Sequence, residues 1–277
     1  MFHIVTAVDN HSNIYPPPDA SALILDLLVA LAPRWLSTQA FVRAGELVSL
    51  SSIAVRTALT RLKHDGRVIS PERGLYRLGD TPDPWRRRVD GWRSILVQLQ
   101  PWDGSWLMAA IRPTSGTRTE WRHTHRALDI EGFKQMPEGF WLRPDNLVGG
   151  LDACRARLEQ FGLARGLTAR ISALDSVSSS TAASLWDVEA MDRQRIDLID
   201  AIRTSHDRLE HLALGAAARE GLLIGRAGVR AIVRDPLLPA SWKGGESLAP
   251  LVESMLAYES AAKEIWQRYL KIGEIEA

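Results

Sequence analysis

The chain carries one cysteine, Cys154, in 277 residues. A lone thiol excludes an internal disulfide and any zinc site built on cysteines, and it suits a reducing, cytoplasmic compartment. No apolar run approaches the roughly 20 residues that a membrane-spanning helix needs, so no membrane partner is expected. The opening stretch MFHIVTAVDNHSNIYPPPDA lacks a basic segment followed by an apolar core, and a secretory signal is not expected there. With Pro16, Pro17 and Pro18 it reads as a flexible lead-in. Catalytic signatures are missing too: there is no G-x-S-x-G, no P-loop and no G-x-G-x-x-G. His123 and His125 are two apart and His206 and His211 five apart, spacings that split each pair across a helix, so solvation accounts for them better than metal binding. No cofactor, no metal and no catalytic residue is expected.

What is present is ordinary in amount and uneven in distribution. Hydrophobic residues make up 45% and charged residues 24%, as in globular protein, and the length suits two or three domains. Net charge is only +1. Between residues 20 and 79, however, eight Lys or Arg (34, 43, 56, 61, 63, 67, 73, 77) face four acids (26, 46, 65, 72). Arg86, Arg87 and Arg88 follow a proline-containing segment. A basic excess near the amino end points toward a polyanion, and most simply toward nucleic acid.

Periodicity gives the organisation. ASALILDLLVAL (20–31) reads as a helix ended by Pro33. Ser37 and Thr38 cap a second around QAFVRAGELVSL, with Ala40, Phe41, Ala44 and Leu47 inward. In the third, SSIAVRTALTRLKH, the residues Val55, Ala58, Leu59 and Leu62 fall at the spacing of one buried face. Gly66 stops it where a left-handed residue is wanted, and RVIS and GLYRLG follow as a hairpin around PERG. Three helices and a hairpin make a winged helix-turn-helix whose third helix is the reading helix.

Farther on, SWLMAAIR, a helix over TRTEWRHTHRALDIEGF, strands around FKQMP and GFWLRP, a helix over NLVGGLDACRARLEQFGL and the strand LTARISAL give a ferredoxin-like β-α-β-β-α-β order. A Ser-rich joint, SVSSSTAAS, leads to a helical end interrupted by DPLLPASWKGG. The expected fold is therefore an α+β multidomain protein. Its parts are a winged helix at residues 20–80, a ferredoxin-like middle domain at 91–175 and a helical domain at 182–277 for effector binding and dimerisation.

Three stretches in this order, AVRTALTRLKHDGRVI with its hairpin, WDGSW with FWLRPDNL, and RDPLLPASWKG, resemble the PaaX family of transcriptional repressors of phenylacetate catabolism. The resemblance spans nearly the whole chain. It implies the same three-part layout, a homodimer on palindromic double-stranded operator DNA, and release by an aryl-acetyl-CoA thioester.

The candidate DNA-binding residues are Ser51, Ser52, Arg56, Thr57, Thr60, Arg61, Lys63, His64 and Arg73. Hydroxyls and His can contact base edges, Arg can grip guanine or phosphate, and serines at a helix start can donate to phosphate. Arg73 sits at the hairpin tip. The plainer alternative is a solvated polar face. An acyl-CoA would need an apolar hollow beside cations. The middle region offers Trp106, Trp121 and Trp141 for the first and Arg112, Arg122 and Arg143 for the second, although core packing is the better account of any single Trp. Arg143 with Asp145 and Asn146 either holds the polar part of an effector or braces the following helix. Arg234, Asp235 and Pro236 form a rigid turn that is more simply a structural brace than a ligand or dimer contact. Leu248, Leu251, Met255, Ile265, Trp266 and Leu270 are the expected dimer surface, with packing within one chain as the plainer alternative. The expected function is an effector-responsive repressor and not an enzyme. The alternative is a metal-dependent nuclease using the ferredoxin-like domain, against which the first strand's ending in Arg112-Pro113, with no Asp, argues.

Overall fold

The computed structural model describes residues 15–80, 83–111, 118–163, 166–242 and 245–271. The lead-in up to residue 14 and the Arg112-Pro113 strand end lie outside them. The chain is a mixed helix and sheet protein with two antiparallel sheets among the described residues. It divides into two compact units: one drawn from residues 1–83, 198–230 and 253–277, the other from 84–197 and 231–252. The helical stretch after residue 182 contributes to both.

In the first unit, α1 (Ala20–Ala30) opens on Asp19, whose carboxylate accepts from the Ala22 amide at 2.8 Å. It buries Leu23, Ile24, Leu27 and Leu28. A two-residue strand β1 (Leu36–Ser37) precedes α2 (Thr38–Glu46), and the Ser37 hydroxyl caps that helix by accepting from Ala40 N at 3.1 Å. Helix α2 ends earlier than its periodicity suggests, because Ser49 takes φ 61° in the turn that follows. Helix α3 (Ser52–His64) then buries Val55, Ala58, Leu59 and Leu62, the stripe expected from the sequence, and burial of each of the three larger side chains stabilises by about 2 kcal/mol. Gly66 has φ 68° as the spacing required. Strands β2 (Val68–Ile69) and β3 (Leu75–Leu78) form the hairpin, and β1 adds to β3, so the sheet order is β1-β3-β2. Sequence reading missed β1, since two residues carry no periodicity.

In the second unit, α4 (Pro84–Asp90) and a kinked 3-10 segment (Trp92–Gln98) precede the sheet. The order is then β4 (Trp106–Ala110), α5 (Arg118–Ile130), β5 (Lys134–Gln135), β6 (Trp141–Pro144), α6 (Gly150–Gln160) and β7 (Leu167–Ile171). Strand order is β5-β6-β4-β7, all pairs antiparallel. Alternation sends Leu107, Ala109 and Trp141 to one face, packed on Ala127, Leu128, Cys154 and Leu158 of α5 and α6. It sends Trp106 and Leu142 to the other face, packed on Ala182, Trp186 and Leu238.

Two expectations are corrected. The Ser-rich stretch is no joint but a helix, α7 (Ser176–Ala183). Asp175 caps it, accepting from the amides of Val177 and Ser178 at 3.0 and 2.9 Å. The remaining helices are α8 (Val188–Leu209), α9 (Leu214–Arg234) and α10 (Leu248–Leu270). No helix among the described residues is long and apolar enough to cross a membrane. The six apolar α10 residues considered for a dimer surface, Leu248 to Leu270, are all buried within the single chain, none more than 8% exposed. The expectation of a dimer surface on these side chains is therefore corrected: they pack inside one chain.

Two measurements check this packing. Gly132 has φ 76°, and a Cβ there would lie 2.7 Å from the Pro236 carbonyl oxygen. Gly104 shares a positive φ but opens onto free space. Urea unfolding should show Gly104→Ala losing about 1 kcal/mol, the backbone cost alone, and Gly132→Ala losing about 3 kcal/mol. Cys154 is 1% exposed, and burial pushes its thiol up to about 11. It should resist iodoacetamide at pH 8 in the native protein and react readily in denaturant.

Candidate nucleic-acid interface and candidate effector region

Helix α3 is positioned by the stripe it buries, and the remainder of its circumference faces outward. Ser51, Ser52, Arg56, Thr57, Thr60, Arg61, Lys63 and His64 are all exposed, as is Arg73 in the hairpin turn. No acid occurs from Ser51 to His64, so the outer face is cationic. Ser51 is the N-cap, its hydroxyl accepting from Ala54 N at 3.1 Å, which leaves its proton for another acceptor. Thr60 donates back to the Arg56 carbonyl at 3.1 Å. Arg61 donates to the Ser21 hydroxyl at 2.5 Å, which holds one edge of its guanidinium against α1. Arg61, Lys63 and His64 also sit in the last turn, where cations complement the helix dipole. The hairpin tip is tied to α2 through Thr38, whose amide donates to the Gly74 carbonyl at 2.9 Å. Arg77, beyond the tip, is engaged with Asp80 at 2.5 Å and lies over the Trp35 ring. All nine candidate residues thus lie on the surface of one unit, eight on α3 and its cap and one on the hairpin.

The effector candidates are not gathered in the same way. Trp106 lies on one face of the second sheet, in a cluster with Trp102, Trp186 and Trp242 whose ring centroids are 5.3–6.4 Å apart. Trp141 is on the opposite face, where its ring meets His125 at 4.9 Å, and His125 meets the half-exposed Trp121 at 4.1 Å. Arg122 is exposed and donates to Thr119 at 3.5 Å. Arg112 lies outside the described residues. The sheet therefore separates Trp106 from Trp121 and Trp141.

Arg143 is 1% exposed and committed inside the protein. It donates to the carbonyl of Glu131, to Pro144 O at 3.1 Å, to Asn146 Oδ1 at 3.2 Å and to Pro236 O at 3.5 Å. Burial lowers its pKa from the usual arginine value, opposed in part by the nearby Glu131 carboxylate. Asn146 donates onward to Leu237 O at 2.8 Å. Asp235 accepts from Arg195 at 2.6 Å and from the Leu237 amide at 2.8 Å, holding the left-handed Leu237 (φ 54°). Glu131, 1% exposed, pairs with Arg157 at 2.7 Å and Arg88 at 3.3 Å, and Arg88 also donates to Val233 O at 2.5 Å. A second cluster joins WDGSW to the RPDN turn. Asp103 accepts from Ser105 N and Oγ at 2.9 and 2.5 Å, and Arg170 bridges Asp103 and Asp145 at 2.6 Å each. The Ser105 hydrogen bonds, aided by Arg170, hold the Asp103 carboxyl at about 2.

Sequence reading missed Glu131, Arg157, Arg195 and Arg170, and it counted Arg88 in the basic excess although that side chain is turned inward onto Glu131. Their partners lie tens of residues away, and no local spacing marks them. Among the described residues no group of three or more His, Cys, Asp or Glu side chains is gathered as a metal ion would need.

No protein-family model matches the chain. No curated protein matches it. It is similar to the solved structure of uncharacterized protein Rv0674 from Mycobacterium tuberculosis, at 22% identity and a TM-score of 0.61, covering 91% of this chain and 98% of that one. A likeness at this identity speaks for the fold alone.

Because Arg143 is a buried brace, its loss should register in stability. Arg143→Met leaves the carbonyls of Glu131 and Pro236 and the Asn146 amide oxygen short of a donor. It should lower the unfolding free energy by about 3 kcal/mol in urea titration, whereas Arg122→Ala should change it by less than about 0.5 kcal/mol.

Proposed function

We propose that the protein is a transcriptional repressor that binds double-stranded operator DNA through α3. On this reading the three helices and hairpin of residues 20–80 act as a winged helix-turn-helix, and the β-α-β-β-α-β unit acts as a ferredoxin-like middle domain. The observation that carries the proposal is the outward face of α3, which presents hydroxyls, His and cations without an acid from Ser51 to His64. That is the chemistry of a surface meeting base edges along its crest and phosphates along its flanks. One such helix contacts too few base pairs to select a site in a genome, so we propose a two-fold dimer on a palindromic operator. The resemblance to PaaX repressors supports the same reading. It also supplies the proposed effector, an acyl-CoA thioester, whose binding would weaken the DNA complex, as DNA would weaken thioester binding by the same factor.

The test is titration of the full chain against duplexes selected from a random pool, at several salt concentrations. Arg56→Ala, Arg61→Ala and Arg73→Ala combined should weaken binding and lower the slope of log affinity against log salt by about one per phosphate contact removed. Arg61→Ala alone should cost about 1–3 kcal/mol where it grips a guanine. A folded triple variant that binds with wild-type affinity would overturn the assignment of α3.

A further inference from the structure

Ile53 stands out on the surface of α3. It is 75% exposed, on a helix whose other exposed residues are hydroxyl-bearing or basic. At about 100° per residue, Ile53, Thr57, Thr60 and His64 fall within one narrow stripe, and the buried Val55, Ala58, Leu59 and Leu62 lie opposite. Arg56 and Lys63 flank the stripe on one side and Arg61 on the other. Ile53 therefore heads the crest, one residue inside the helix start that Ser51 caps.

Single exposed apolar residues are common on protein surfaces, but this one has a particular place. The first turn of a reading helix is the part that approaches base edges in the major groove. Every other residue on the crest can recognise a base through a hydrogen bond. An isoleucine side chain has no donor or acceptor, and the apolar feature that the major groove displays is the C5-methyl group of thymine. The cationic flanks favour this occupant over an apolar protein surface, which would have to bury Arg56, Arg61 and Lys63 without partners.

Resting on the reading of α3 as a DNA-binding helix, we propose that Ile53 determines specificity by packing against a thymine methyl in each operator half-site. Its aliphatic branch would exclude water from that methyl and leave a cytosine, whose exocyclic amine lacks an acceptor there, disfavoured. The Thr57 methyl sits on the same stripe and is the nearest alternative reader.

Uracil tests this directly, since it removes the methyl group and keeps every hydrogen-bonding atom. Full-length protein is used to select duplexes from a random pool. The preferred duplex is then resynthesised with each thymine in turn replaced by uracil. Affinities are measured for wild type, Ile53→Ala and Thr57→Ser. At 75% exposure Ile53 carries little of the fold, and circular dichroism confirms each variant. At one position per half-site, uracil should weaken wild-type binding about three- to fivefold. Ile53→Ala should bind the thymine and uracil duplexes equally. The inference is overturned, with DNA binding intact, when no thymine matters or when the uracil penalty persists in Ile53→Ala and disappears in Thr57→Ser. Failure of the wild type to enrich any duplex overturns both this inference and the reading of α3 beneath it.

Discussion

Helix α3 can bury one stripe and no more. Val55, Ala58, Leu59 and Leu62 occupy it, and their removal from water outweighs any orientation that an isolated α3 would adopt. The outward direction of the basic and hydroxyl-bearing residues follows from that choice. Rotating α3 to bring Arg56 or Arg61 inward would expose the leucines and bury unpaired cations, both unfavourable. The cationic face is thus a by-product of core packing, held by the same contacts that hold the unit together. Asp26 and Arg226 form an ion pair that ties α1 to α9, and Tyr269 donates to the Arg43 carbonyl of α2 at 3.3 Å. The C-terminal helices therefore support the three-helix platform.

The second unit depends on a different device. Arg143 places a guanidinium among backbone carbonyls from three chain segments, at Glu131, Pro144 and Pro236. Such a charge is expensive to bury and stays only when its donors are satisfied. It fixes the Pro236 segment against the sheet, with Gly132 leaving room for the close approach. In the RPDN and RDPLLP stretches, Arg143, Asp145, Asn146 and Asp235 each meet a partner within the second unit. A segment can look distinctive in sequence because its packing is demanding, without being a ligand site.

The legible parts were those set by local chemistry. The cap at Ser37, the buried stripe of α3 and the left-handed Gly66 all follow from short-range rules, and the structure has each of them. Alternation within β4 was visible too, but which strand pairs with it was not, so nothing in the sequence separated Trp106 from Trp141. Strand β1 was too short to register. The SVSSSTAAS stretch misled because serine favours turns. In α7 the Ser180 and Thr181 hydroxyls instead donate to the carbonyls of Ser176 and Val177, and Asp175 satisfies the helix start. Glu131 with Arg88 could not be anticipated, because only the tertiary fold brings them together.

Side-chain footprinting by hydroxyl radicals, read by mass spectrometry with and without a selected duplex, decides whether α3 meets DNA. It reports which surface the nucleic acid covers, independent of any substitution. Protection should concentrate on the α3 crest, at Ile53, Thr57, Thr60 and His64, and at Arg73 in the hairpin turn. Protection confined to the second sheet and its helices, with the α3 crest equally reactive in both samples, would contradict DNA binding through α3.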